Sequence, residues 1–378
     1  MTEIIRTVRP EEREEFERFL ERCYGHWRGY FTCTYPDLAE ASKTDTSPYL
    51  VIEKDGRIVS HVGTHRMTAI VHECQLPCGG IGGVATLPEE RGQGYMSRLM
   101  EESIRRMREW GIVFSALWGD QQRYQNYGYE TCGLKYTLTV TRRACERAGI
   151  QAARVEEVDP ADRASAEAVA RFQSLVPCRI DRPLHVLAAK LRRPSARLFL
   201  SGDGYVLATR GTARDLQVME VASQSGHEAE LILGALDISF GSTATVDMGP
   251  DEGERMTRLL RAAARWSCSP QAMLRIIDLA GLLEAVRPLL QRRAAGLAPF
   301  AVSVGCQWQD EMQWATVEWD GRTALAVTRG CMSENRVTAP VRQLTAWLFG
   351  GPHAGRETLG PLAHLLPIPV HFPALDHV

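Results

Sequence analysis

The chain has 378 residues, which at about 150 residues per domain indicates two or three domains. Apolar residues make up 44%, charged residues 24%, and 44 Lys+Arg against 46 Asp+Glu leave a formal net charge of −2. This composition excludes intrinsic disorder, gives no basic footprint for nucleic acid, and includes no apolar run of membrane-spanning length. The start of the sequence also lacks the basic and apolar stretches of a signal peptide.

In chain order, the first segment, residues 1–143, alternates helix and strand signals. A helix is predicted after Pro10, and Asp55-Gly56 supplies the tight turn of a hairpin over residues 49–59. The remaining elements of this segment are predicted as strands over residues 66–71 and 80–86, a helix over 94–110 and a buried strand over 112–118.

Two further segments follow, residues 144–272 and 273–378. The first should contain strands over 197–200, 205–208, 216–222 and 244–247 and helices over 227–236 and 252–266, with no glycine-rich loop. The second should contain a helix over 279–290, strands over 301–304, 315–319 and 324–327, and a helix over 341–349. Its proline-rich tail should be extended but docked, and no low-complexity linker separates the segments.

Ten cysteines are scattered without a CxxC pair, which indicates reduced thiols and a cytoplasmic protein. Cys132 has no evident activating base nearby and is predicted to be a buried thiol rather than an acyl-carrying nucleophile. His61 and His65 form an HxxxH pair, but on a strand residues four apart are separated by about 13 Å. No metal site is therefore predicted.

The most informative stretch runs from Val84 through Gly92 and Gly94 to Met96, as a strand, a glycine-rich turn and the start of a helix. The two glycines allow the backbone to approach a ligand, while the helix N-terminus and Arg91 favour an anion such as a pyrophosphate. Residues 80–85 also fit G-x-G-x-x-A, but they run into a strand where a dinucleotide fold needs a helix. No Gly-Lys-Ser/Thr follows, and a ligand-free connecting turn stays an alternative.

The turn Arg91-Gly92-Gln93-Gly94-Tyr95-Met96 resembles the Arg/Gln-x-x-Gly-x-Gly/Ala loop of the GNAT superfamily of acyl-CoA-dependent N-acetyltransferases, with Met96 as a departure. A bulky residue at that point, together with the chain length, resembles the enhanced intracellular survival (Eis) acetyltransferases. The resemblance implies an α/β (α+β) fold of two tandem GNAT-like domains, residues 1–143 and 144–272, the second lacking a cofactor loop. A domain resembling sterol carrier proteins, residues 273–378, would return the C-terminus to the active site.

The same resemblance implies acetyl-CoA as co-substrate and gives each cofactor residue a place. The pyrophosphate would lie on the backbone N–H groups of Arg91, Gly92, Gln93, Gly94, Tyr95 and Met96. The pantetheine arm would lie against the backbone of Val84, Ala85 and Thr86, in a splayed gap between the strands over residues 80–86 and 112–118.

Acyl transfer from a thioester to an amine needs a base for the amine and a proton donor for the leaving thiolate. Tyr124, in Tyr124-Gln-Asn-Tyr-Gly-Tyr, matches the tyrosine that the GNAT resemblance makes this donor, whereas Tyr127 and Tyr129 are expected to pack. The resemblance to Eis proteins makes the terminal carboxylate of Val378 the base, with His377 and Glu130 as fallbacks.

Three aromatic residues, Trp27, Tyr30 and Phe31, occupy the region that lines the acceptor pocket in GNAT folds, although core packing explains them equally well. The predicted function is direct transfer of acetyl in a ternary complex to a primary amine of an aminoglycoside- or polyamine-like molecule or a lysine. The family resemblance adds a homo-oligomer, and the composition predicts no nucleic-acid partner and no membrane span. The alternatives are an inactive acyl-CoA- or lipid-binding module and an acyltransferase for longer acyl chains.

Overall fold

The computed structural model describes residues 2–211, 215–250 and 253–377. The strands are β1 Glu3–Thr7, β2 Tyr49–Lys54, β3 Arg57–Val71, β4 Cys74–Thr86, β5 Phe114–Leu117, β6 Glu130–Thr141, β7 Glu156–Val158, β8 Cys178–Ile180, β9 Arg197–Leu200, β10 Gly204–Arg210, β11 Asp215–Ser223, β12 Thr243–Met248, β13 Ala263–Ile276, β14 Phe300–Trp308, β15 Glu311–Trp319, β16 Leu325–Arg329 and β17 Arg336–Pro340. The helices are α1 Arg13–Tyr24, α2 Tyr30–Thr34, α3 Pro36–Ala41, α4 Tyr95–Glu109, α5 Gln121–Tyr124, α6 Arg142–Arg147, α7 Arg163–Gln173, α8 Leu184–Leu191, α9 Glu228–Ile238, α10 Glu254–Ala262, α11 Leu279–Ala285, α12 Arg287–Ala294 and α13 Val341–Phe349.

One long mixed sheet runs through the first two segments in the order β1-β2-β3-β4-β5-β13-β6-β12-β11-β10-β9-β7, and β8 pairs with β3. Strands β4 and β5 are parallel, whereas β13 is antiparallel to both β5 and β6. A second sheet, in the order β16-β15-β14-β17, belongs to the last segment.

Strand β13 ties the segments together. It crosses the expected boundary between residues 272 and 273, because Met273 pairs with Leu117 of β5 and with Thr131 of β6. The expected boundary after residue 143 similarly lies within α6. The first segment and its neighbours therefore share one continuous hydrogen-bonded sheet.

Most predicted elements are present, and the clearest is α4. Leu99, Met100, Ile104 and Met107 recur at helical spacing and are buried against the sheet. The predicted hairpin is also confirmed, with both Asp55 (φ 48°) and Gly56 (φ 79°) at positive φ in its turn.

Two helix predictions were wrong in part. Residues 263–266 were assigned to a helix but begin β13, where Arg265 lies opposite Thr139 and Trp266 opposite Leu138. Pairing with β6 supplies the backbone hydrogen bonds and overrides the local helical pattern. The helix expected over residues 279–290 is divided into α11 and α12, because Pro288 starts a new helix and has no N–H to continue the old one. Strands β1, β6, β7, β8 and β17 are absent from the sequence prediction.

The last segment packs directly on the strands of the first. Phe349 of α13 and Phe372 of the tail lie 5.1 and 6.2 Å, centroid to centroid, from the ring of Phe114 in β5. The tail has the predicted extended, docked form, with Ile368, Phe372 and Leu375 buried. The end of the chain is thus held against the sheet that carries the glycine-rich turn.

Candidate active site

An opening forms where β4 and β5 part. Their parallel pairing runs from Cys78 opposite Phe114 to Ile81 opposite Leu117, where β5 ends. Strand β4 continues to Thr86, and its pairing with β3 on the other side shifts register between His61 and Gly63. The last residues of β4, after Ile81, therefore have no β5 residue paired with them, as the predicted splayed gap requires.

The glycine-rich turn closes one end of this opening. Gly92 (φ 82°) and Gly94 (φ 74°) are left-handed, and a Cβ on either would meet nothing within 4 Å. Gly94 is the N-cap of α4, and no side chain of the described chain caps this helix. The first-turn N–H groups, unpaired within the helix, thus stand beside open space with the positive end of the helix dipole.

A groove of about 410 Å3 joins the turn to the strand. Its lining includes the predicted cofactor residues Val84, Ala85, Thr86, Arg91, Gly92, Gln93, Gly94, Tyr95 and Met96, joined by Cys23, Tyr24, Glu90 and Arg123. Glu90 is paired with Lys54 at 2.8 Å, so its charge is compensated, and the arginines leave the groove suited to an anion. The ring of Tyr95 is buried, and its hydroxyl donates a hydrogen bond to Glu3 (2.7 Å). Because the side chain is occupied in this way, the backbone of Tyr95 is the part available to a ligand.

A second cavity of about 240 Å3 adjoins the groove. It is walled by Leu20, Tyr24, His26, Tyr30, Phe31, Tyr35, Leu38, Tyr49, His61, His65, Ile81, Gly82, Gly83, Val84, Trp118 and Tyr124. Tyr24 and Val84 line both spaces, and the Tyr24 hydroxyl donates a hydrogen bond to the Val84 carbonyl (2.8 Å). The two spaces therefore meet at the strand end where β5 has stopped, and we call the second one the acceptor cavity.

Tyr124 lies in the wall of the acceptor cavity, at the end of α5. This short helix is capped by Asp120, whose side chain accepts a hydrogen bond from the backbone N–H of Gln122 (2.8 Å). Gly119 makes room for the ring, since a Cβ there would lie 2.6 Å from it. Burial raises the pKa of Tyr124, so the phenol keeps its proton at neutral pH.

The other two tyrosines of this motif are held by structural hydrogen bonds. The Tyr129 hydroxyl lies 2.8 Å from Ser115 Oγ in the core, and the Tyr127 hydroxyl lies 2.8 Å from Ser97 Oγ of α4. Neither lines the acceptor cavity, in keeping with the packing role expected from the sequence. Cys132 is buried as predicted, and burial raises the pKa of its thiol.

Two of the three aromatic residues predicted for the acceptor pocket lie in its wall, and the third does not. Tyr30 and Phe31 line the acceptor cavity. Trp27 is 59% exposed and does not line it; its ring instead lies edge-on to Tyr30, with centroids 5.8 Å apart. The α1–α2 turn points this tryptophan outward.

Several cavity residues were missed by sequence reasoning, among them His61, His65 and Trp118. The two histidines are four positions apart on β3, a spacing that places both on one face of a strand, and this signal could have marked them as a pair facing a common space. Trp118 directly follows β5, at the point where the sheet opens.

Both histidines of β3 are neutral. His61 Nδ1 lies 2.7 Å from the Gly83 carbonyl oxygen, so this nitrogen carries the proton and Nε2 is left as an acceptor. That Nε2 is buried and has no hydrogen-bond partner among the residues described here. Burial lowers the pKa of His61 to about 3 and that of His65 to about 4.

The proposed base, Val378, lies outside the described residues. The residue before it, His377, lies against the wall of the acceptor cavity, because its ring stacks on Trp118 at 4.1 Å. Asp376 is buried and forms ion pairs with Arg182. The fallback Glu130 does not line the cavity and is instead paired with Arg342 (2.8 Å) and His353 (3.0 Å).

Across the described ranges, no group of three or more His, Cys, Asp or Glu side chains is arranged to hold a metal ion. None of the helices that the structure describes is both long enough and apolar enough to cross a bilayer.

Comparison with known proteins places this geometry in a class. Residues 4–132 match the family model described as "Acetyltransferase (GNAT) domain". No curated protein sequence matches the chain. Three solved structures share the fold over the full length of this chain. They are a probable N-acyltransferase from Enterococcus faecalis V583 (18% identity, 100% of that chain covered, TM-score 0.75), a GCN5-related N-acetyltransferase from Kribbella flavida (19%, 98%, 0.73) and Eis1 from Mycobacterium abscessus (16%, 100%, 0.71).

Residues 4–132 thus carry an acetyltransferase (GNAT) domain. The fold of the chain is similar from end to end to those of the GCN5-related N-acetyltransferase from Kribbella flavida and of Eis1 from Mycobacterium abscessus. The predicted mixed α/β fold and the GNAT domain of the first segment are confirmed, and the likeness to Eis1 agrees with the predicted Eis-like resemblance. The division into two GNAT-like domains and a sterol-carrier-like domain stays a prediction.

Proposed function

We propose that the protein transfers the acetyl group of acetyl-CoA directly to a primary amine. The observation that carries this proposal is the meeting of the anion-binding groove and the acceptor cavity at Tyr24 and Val84, beside Tyr124. A thioester lying along the end of β4 would then be accessible from both spaces. The GNAT domain match over residues 4–132 supports the choice of a CoA donor.

The residues of the groove fit the donor in two parts. The uncapped N-terminus of α4 and the open Cβ positions of Gly92 and Gly94 suit a pyrophosphate, with positive charge from Arg91 and Arg123. The free end of β4 suits the pantetheine arm. Since the Tyr24 hydroxyl now bonds to the Val84 carbonyl, a pantetheine amide that used this carbonyl would displace it.

The chemistry follows from the position of Tyr124. The amine nitrogen attacks the thioester carbonyl carbon, a C–N bond forms, and the C–S bond breaks to release the coenzyme A thiolate. Tyr124, which is protonated at neutral pH, donates its proton to that sulfur. The terminal carboxylate of Val378, directly or through one water, accepts the proton that the amine loses.

The other two segments would complete the site. We assign residues 144–272 to a second GNAT-like domain that binds no cofactor and residues 273–378 to a domain resembling sterol carrier proteins. Their contribution is to hold the chain end, since Arg182 from the former binds Asp376 from the latter. The His377–Trp118 stack holds the residue before the proposed base against a side chain that lines the acceptor cavity.

Substitution of Tyr124 tests the proposal. Calorimetry should show that wild type and Tyr124→Phe bind acetyl-CoA alike, while kcat with an amine should fall by roughly 10²–10⁴-fold, the usual contribution of a positioned general acid. Tyr136→Phe, a matched change on β6 away from both spaces, should leave kcat unaltered. Undiminished turnover by Tyr124→Phe would remove Tyr124 from the mechanism, and acetyl-CoA binding without turnover of any amine would favour the acyl-CoA-binding module.

A further inference from the structure

The side chains described in the wall of the acceptor cavity carry no formal charge, and the carboxylate that the proposed function brings there, that of Val378, is used by the reacting amine. Among the described residues that line it, none is Asp, Glu, Lys or Arg. A polyamine or aminoglycoside brings several ammonium groups, and each one that is buried needs a carboxylate or another strong acceptor to offset its lost hydration. The described lining offers no carboxylate to the ammonium groups other than the one that reacts.

Two buried carboxylates on helices that wall the cavity are already engaged. Glu21 of α1 accepts a hydrogen bond from the backbone N–H of Gly29, and Asp37 of α3 is paired with Lys190 at 2.8 Å. A neighbouring apolar cavity of about 290 Å3 has Glu17 in its wall, where it accepts hydrogen bonds from the Thr32 backbone N–H (3.0 Å) and side chain. Its other carboxylate, Glu14, is exposed to solvent.

Aromatic faces make up much of the wall. His26 and Tyr30 stack with centroids 3.7 Å apart on one side, and Trp118 and Phe31 add further rings. Flat apolar walls of this kind bury an aromatic body well, because ring-on-ring contact adds to the area removed from water. They also tolerate a single cation, which can rest on a ring face.

One polar atom in the wall is left without a partner. His61 Nε2 is an acceptor, is buried, and belongs to a side chain that is 1% exposed, lines the cavity and is bonded to the Gly83 carbonyl of β4. A buried acceptor without a bond indicates a missing donor, since such groups are almost always satisfied in folded proteins. An amine N–H is a donor of the right kind for this position.

We propose that the acceptor is a monoamine with an uncharged aromatic body, of the arylalkylamine class. Its nitrogen donates a hydrogen bond to His61 Nε2 in the cavity wall, and its ring lies against the aromatic side chains. This inference rests on the proposed function, and it replaces the polycationic acceptors that the sequence suggested with a single-amine class.

The first test compares three amines on the full-length protein, 2-phenylethylamine, spermidine and kanamycin. Binding is measured by calorimetry without acetyl-CoA, and turnover is measured with acetyl-CoA at saturation. We expect 2-phenylethylamine to bind without the donor and to exceed both polycations in kcat/KM by at least about tenfold, the smallest effect expected for unpaired buried charges. Equal or better turnover of spermidine or kanamycin, or failure to turn over 2-phenylethylamine while acetyl-CoA binds, would overturn the inference.

A charge-placement pair provides the control. His26 lies at the exposed rim of the cavity, so His26→Asp adds a carboxylate and His26→Asn adds a neutral group of the same size. The kcat/KM for spermidine should be higher in the Asp variant than in the Asn variant. The kcat/KM for 2-phenylethylamine should exceed that for spermidine only in the Asn variant. Equal spermidine values in the two would show that charge does not limit the acceptor. If the wild-type protein does not bind acetyl-CoA, the proposed function itself is refuted, whatever the result for amine binding.

Discussion

Replacing Asp376 with asparagine should detach the end of the chain from the active site. Asp376 is 1% exposed, and its Oδ1 accepts a hydrogen bond from Arg182 Nε at 2.8 Å. Arg182 is also bonded to Glu220 (3.0 Å), and Lys190 donates to the Leu375 carbonyl (3.1 Å). The last described turn of the tail is thus fixed on both its side-chain and its backbone oxygen atoms.

The cost follows from the charges in this cluster. Three cations, Arg182, Lys190 and Arg193, contact three anions, Glu220, Asp37 and Asp376, so the buried charges balance. Asparagine leaves one buried positive charge in excess. Breaking a buried ion pair costs about 3–5 kcal/mol, and because Arg182 keeps Glu220 we expect about 3 kcal/mol.

Thermal unfolding and steady-state kinetics measure the two consequences. Asp376→Asn should lower Tm by several degrees and kcat by at least about tenfold, while the Kd of acetyl-CoA, whose groove lies on other elements, stays within a factor of two. Asp310→Asn is the matched control, since Asp310 is exposed in the turn between β14 and β15. An Asp376→Asn protein with wild-type Tm and kcat would refute the anchoring role of this cluster.

The remaining predictions concern the groove and the response to acid. Gly94→Ala puts a Cβ on a residue at φ 74° that opens a helix beside the groove, and it should weaken acetyl-CoA binding by at least about tenfold. Gly111→Ala imposes the same strain (φ 69°) beyond the other end of α4 and should bind normally; equal losses would mean that strain alone is responsible. Arg91→Gln should weaken acetyl-CoA binding more at low salt than at high salt, and a salt-independent loss in calorimetry would count against a charge contact. Burial lowers the pKa of His61 and of His371 to about 3, so the unfolded chain takes up these protons first as pH falls below about 6.5. The free energy of unfolding should therefore be highest above pH 6.5 and fall towards pH 3 by about 1.4 kcal/mol per pH unit for each histidine, and a flat urea-unfolding profile from pH 6.5 to 5 would contradict this.

The cofactor groove could be predicted from sequence because its determinants are local. Gly92, Gly94 and α4 follow one another within a single turn, so the loop and the helix N-terminus are set by neighbouring residues. The start of β13 could not be predicted in the same way. Residues 263–266 carry a helical pattern, and only their pairing with residues of β6 more than a hundred positions earlier makes them a strand.

The acceptor cavity was predicted only in part for a similar reason. Tyr30 and Tyr124 were found through the resemblance, but the wall also takes His61 from β3 and Trp118 from the end of β5, which only the folded sheet brings together. Trp27 belongs to the same aromatic stretch of sequence as Tyr30, yet the turn before α2 directs it to solvent. The ion pair of Asp376 with Arg182 spans 194 positions and has no sequence signature.

A crystal structure of the protein with coenzyme A bound tests the central claim most directly. We predict that the pyrophosphate lies within hydrogen-bond distance of the backbone N–H groups between Gly92 and Met96, and that the thiol lies where the groove meets the acceptor cavity, within reach of the Tyr124 hydroxyl. Coenzyme A bound elsewhere, or with its thiol directed away from Tyr124, would contradict an acetyl transfer site at the parting of β4 and β5.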